Sequence, residues 1–136
     1  MRVGVLLIAV LLGMFVASCA RPVQPDASAQ LLHPISPGWD RYFSVSSEPF
    51  ERRGQPYLGG SIVNNYGVMA NRVQLLVDSL DSSGQIVAQR VEWLVGSNLP
   101  GFSSTYYEVP IRDPAARYRV SVFAFDFVQS ARLESP

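Results

Sequence analysis

Apolar and polar positions alternate most clearly between Tyr57 and Val95. Val73, Leu75 and Val77 fall on one face of a strand and Arg72, Gln74, Leu76 and Asp78 on the other, because successive side chains of a pleated strand point to opposite sides. Asp81-Ser82-Ser83-Gly84 tolerates tight-turn dihedrals and Ile86-Val87 begins a return, so residues 73–95 predict a hairpin. On that return Val87, Val91, Trp93 and Val95 share one parity and are expected to form its core face, while Arg90 and Glu92 take the other as a surface pair.

The rest of the chain follows the same two-residue period. Tyr42 to Ser46 predicts a first strand that resumes past Glu48-Pro49 towards Arg53 as an edge, where proline is tolerated. Leu58, Gly60 and Ile62 alternate through the next strand, and Asn64-Asn65-Tyr66-Gly67 breaks it. Asn98-Leu99-Pro100-Gly101 predicts a turn; Thr105, Tyr107, Val109 and Ile111 then point inward. After Arg112-Asp113-Pro114, Tyr118, Val120, Val122 and Ala124 supply the last core face. Six or seven strands at this spacing, with no helical period, predict an all-β fold, an immunoglobulin-like antiparallel β-sandwich over residues 38–128 with a C-terminal tail at 129–136. One stretch breaks the rule. If Tyr118, Val120 and Val122 face the core, Phe123, Phe125 and Phe127 face out and form a candidate protein-binding surface; a bulge, or cover from Trp39, the first strand or Leu31-Leu32, would bury them instead.

The N-terminus changes the picture from a fold to a location. Met1-Arg2 is a short basic start, Val3 to Val16 is an almost unbroken apolar run, and Ala17-Ser18 places small residues before Cys19, the single cysteine. This order is that of an export signal at residues 1–18, and a run of about 14 residues falls short of the roughly 20 that a spanning helix needs. Val16-Ala17-Ser18-Cys19 resembles the lipobox of bacterial lipoprotein signal peptides. That resemblance implies cleavage before Cys19, acylation of its sulfur and a membrane anchor at Cys19. It also implies, since Ala20 and not an aspartate follows, the periplasm-facing leaflet of the outer membrane, or the external face of a single-membrane cell. Residues 19–37, with four prolines from Pro22 to Pro37 and no periodicity, are expected to be a flexible tether on which Leu31-Leu32 is placed to dock.

Composition narrows the chemistry. Acidic and basic residues balance in the 136-residue chain, and all 11 basic residues are Arg, scattered along it, so no nucleic-acid partner is implied. His33, the one histidine, lies in the tether without a nucleophile or an orienting carboxylate beside it. No zinc cluster, phosphate loop or nucleophile elbow is present in the sequence, which leaves no catalytic residue, no metal site and no cofactor to propose. Asp78 and Asp81 are too few for a calcium loop and suit turn capping. Trp39, Tyr66, Tyr106 and Tyr107 remain as candidate stacking groups for a glycan or other small ligand.

The order Gly60-x-Ile62-x-Asn64, Val73-x-Leu75-x-Val77, Leu80-Asp81-x-x-Gly84-x-x-Val87 and Pro100-Gly101 before Tyr107-x-Val109 resembles the FxLYD-type immunoglobulin-like domains of bacterial envelope proteins over roughly residues 57–125. The Phe and Tyr that name that family are not both present. The resemblance implies a non-enzymatic module of a membrane-anchored protein, and with it a protein partner in the cell envelope.

Overall fold

A computed structural model describes residues 30–96 and 98–128. Those residues form two antiparallel sheets packed face to face, an all-β sandwich. The strands are β1 (Phe43–Val45), β2 (Glu48–Arg52), β3 (Gln55–Asn64), β4 (Ala70–Leu80), β5 (Ile86–Trp93), β6 (Asn98–Leu99), β7 (Ser104–Pro110) and β8 (Arg117–Phe127), after a single 3-10 turn at Trp39–Arg41. In the first sheet β3 is central, with β7 on one side and β1 and β2 end to end on the other. In the second, β4 is central, with β8 on one side and β5 and β6 end to end on the other. Each sheet is therefore three positions wide.

The core lies between the two central strands. Leu58 and Ile62 from β3 meet Val73, Leu75 and Val77 from β4, with Tyr107, Val109, Val120 and Val122 from the flanking strands, all buried. Gly60 sits between Leu58 and Ile62 because a Cβ there would run into the Ser46 carbonyl of the neighbouring edge.

Three expectations are corrected. The apolar set of β5 points away from the core: Leu75 pairs with Glu92 and Val77 with Arg90, so Arg90 and Glu92 share the inward face, and Val87, Trp93 and Val95 are exposed. The inward set ends in Leu94, 4% exposed and part of the core. Charges aimed inward on an edge strand keep it from pairing with other chains, and Arg90 finds Asp113 at 2.7 Å. The second correction concerns β8. Arg72, in the left-handed region at φ 51°, and Val73 together oppose one residue of β8, and Phe123 is an extra residue on β8 itself. These bulges reverse the parity of the strand end, so Phe125 and Phe127 turn inward and pack on the core. The third concerns Asn98-Leu99, read as part of a turn: it forms β6, which pairs with Ala70 and Asn71 at the start of β4.

The last residues of the expected tether are held on the sandwich. Leu32 donates its N–H to Gln89 Oε1 at 2.7 Å and accepts from Gln89 Nε2 at 3.0 Å, and Ile35 N–H donates to the Phe123 carbonyl at 2.8 Å. Between those two points, on the outer face of the second sheet, Leu76 is 2% exposed although it lies outside the core cluster.

Candidate functional site

The candidate residues separate into distinct places. Phe125 and Phe127 join Tyr42, Phe43 and Tyr66 in an aromatic cluster, edge-to-face from Phe43 to Phe125 at 4.8 Å between ring centres and tilted from Tyr66 to Phe127 at 5.0 Å. Rings in this geometry hold a core together, and of the three phenylalanines only Phe123 stays on the outer side of the bulge. The four stacking candidates do not converge. Trp39 packs against the core, Tyr66 belongs to the aromatic cluster, and Tyr106 and Tyr107, adjacent in β7, point to opposite faces. Tyr106 is 61% exposed while Tyr107 is 4% exposed.

Tyr107 is a structural residue. Its hydroxyl donates to the Ser46 carbonyl at 2.8 Å, which ties β7 to the β1–β2 junction across β3. Burial pushes its phenol up to about 12, outweighing a hydrogen bond with Ser47 that favours the ionised form. A pKa raised on folding adds stability that is complete below the unfolded value of about 10 and is lost as pH rises through the folded value. Alkaline titration should therefore destabilise the fold by about 1.4 kcal/mol per pH unit between about 10 and 12. Thermal melts of the Tyr107→Phe variant should start from lower stability and lack that component; an unchanged slope in the variant would refute the assignment.

The carboxylates serve as supports. Asp78, 2% exposed, accepts two bonds from Arg119 at 2.9 and 2.6 Å and one from Gln89 at 2.8 Å. A buried carboxylate needs such partners to offset its lost hydration, and here they also set the Gln89 amide that grips Leu32. Asp81 caps the β4–β5 turn, accepting from Ser83 Oγ at 2.6 Å and from the Ser83 and Gln85 N–H groups at 2.9 Å. Those bonds, the Ser83 hydroxyl first, hold its pKa below the usual carboxylate value. Among the described residues no group of three or more His, Cys, Asp and Glu side chains could hold a metal ion.

An open cleft of about 270 Å3 runs along β7, lined by Tyr106, Tyr107, Glu108 and Val109 of the strand and by Trp93 and Val95. Four consecutive lining residues mean that the cleft follows the strand's free edge. Among the described residues β7 pairs with β3 alone, over an unbroken register from Ser104 to Pro110. The other edges are interrupted: β1 and β2 by Ser46-Ser47 and Pro49, β5 by its inward charges, and β8 by its bulge and the Ile35 contact. Parity assigns the exposed pair Trp93 and Val95 to the core and so conceals this cleft; the Arg-x-Glu at the inward positions is the available signal.

Cys19, residues 1–18 and the tail at 129–136 lie outside the described residues. Among the described residues no helix is long and apolar enough to cross a membrane. No protein-family model matches the chain, and no curated protein matches it. A solved structure described as "X-ray structure of Northeast Structural Genomics Consortium target SoR45" is similar over 70% of this chain and 92% of that one, at 12% identity and a TM-score of 0.37, a likeness too distant to carry an argument.

Proposed function

We propose that this chain is an exported lipoprotein, acylated at Cys19 and held on the periplasmic leaflet of an outer membrane, whose sandwich is of the FxLYD immunoglobulin-like type and works by binding another envelope protein. The order of basic start, apolar run, small residues and cysteine supports the anchor. The observation that carries the binding role is the β7 edge. An unpaired, regular strand edge presents main-chain donors and acceptors that an extended peptide can complete, with side-chain pockets supplying selectivity. Trp93 and Val95, both exposed, provide an apolar wall beside that edge, and aromatic residues dominate the energetics of protein interfaces.

Photo-crosslinking from position 106 in intact cells should give one discrete protein adduct that is lost in a Trp93→Ala, Val95→Lys variant. The same probe at Arg53, on the exposed β2–β3 turn, should give none. Equal labelling from both positions, or no adduct from position 106, would refute the β7 edge as a binding site.

A further inference from the structure

We infer that the patch formed by Leu31, Leu32 and Val87 seats on the surface of the lipid bilayer, so that the domain lies on the membrane with its second sheet inward. The inference rests on the lipid-anchor reading and adds an orientation to it.

The strap at residues 30–35 is held through its backbone: both polar groups of Leu32 go to the Gln89 amide and the Ile35 N–H goes to Phe123. Its side chains are thereby left outside. Leu31 is 47% exposed and Leu32 41%, with Val87 at 58%. With Gln30, Ile86, Ala88 and Gln89 they border an open cleft of about 500 Å3 whose lining has no charged side chain. The nearby carboxylate of Asp78 is already neutralised by Arg119. Contiguous apolar side chains of this kind mark a contact surface.

The chain itself names the occupant. Ten residues lie between Cys19 and Gln30, a reach of at most about 40 Å, and the strap enters the sandwich at this patch. Anchored at Cys19, the domain meets lipid with the patch foremost, while Tyr106, exposed on the first sheet, lies on the far side. Acyl chains supply the affinity and the patch supplies the tilt, since interfacial binding grows with the apolar area placed at the head-group boundary.

The test uses the full-length protein, extracted from membranes and reconstituted in phosphatidylethanolamine–phosphatidylglycerol vesicles, with a nitroxide at Val87→Cys or at Tyr106→Cys. On reconstitution the label at 87 should become accessible to oxygen and protected from an aqueous nickel chelate, and the label at 106 should stay accessible to nickel. A Leu31→Asp, Leu32→Asp variant should lose the protection at 87 and still float with the vesicles. Nickel access at 87 in floating protein overturns the inference and leaves the anchor standing. Protection from both probes that rises with protein density identifies a second copy as the occupant and overturns it equally. Protein that does not float, with Cys19 unmodified by mass spectrometry, removes the anchor and the docking with it.

Discussion

Replacing Phe125 by Glu is expected to unfold the sandwich. The ring sits 4.8 Å from Phe43 and 5.0 Å from Phe127, against the core. Truncating a packed phenylalanine costs about 3–5 kcal/mol, and a carboxylate without a partner among those rings adds a desolvation penalty. A domain of this size has only about 5–15 kcal/mol to lose. Circular dichroism melts should show a fall of roughly 20 °C or more in Tm, whereas Phe125→Leu should cost about 1–2 kcal/mol by conserving most of the volume. A Glu variant that melts like the parent but loses a binding partner would place Phe125 on an exposed docking surface and refute the bulge.

Asn64→Ala should rank next. Asn64 is fully buried. Its amide donates to the carbonyls of Val68, Leu99 and Pro100 at 2.8, 3.2 and 3.2 Å, and its oxygen accepts from Tyr66 N–H at 3.0 Å. One side chain thus joins the end of β3, the crossover to β4 and the loop after β6. Removing it strands several buried polar groups, each at about 1–3 kcal/mol, so urea denaturation should report a loss of about 3 kcal/mol or more. Asn64→Asp should be no better, because an oxygen would replace the donor facing three carbonyls. A loss below about 1 kcal/mol would mean that water substitutes for the amide.

Where one face alone is buried, the period of two was enough to read the fold. Leu58 and Ile62, Val73 to Val77, and Tyr107 and Val109 all lie where alternation puts them, and Asp81 to Gly84 turns the hairpin. Alternation fails where something other than the core decides a side chain's direction. In β4 both faces are buried from Leu75 to Ser79, because the strap crosses the outer one, and no local pattern announces a distant segment. In β5 the protection of an edge places Arg90 and Glu92 inward. In β8 the parity changes at the extra residue Phe123 and in the facing β4 at Arg72, an arginine adopting a conformation that favours glycine; the sequence marks neither. Asn64 reads as a strand breaker and is instead a buried junction. The candidate site is the least legible part, since parity assigns Trp93 and Val95 to the core while the structure leaves them exposed beside β7 of the facing sheet.

The interleaving of the two sheets has a consequence for how the molecule is made. The first sheet takes β1, β2 and β3 and then waits for β7; the second takes β4, β5 and β6 and waits for β8. Neither layer can be completed from one half of the polypeptide, so a nascent or nicked chain ending before Ser104 would lack a flank of both. Assembly is governed by pairings distant in sequence, the regime in which loop-closure entropy slows folding to milliseconds or longer, and the two layers are obliged to form, or fail, together.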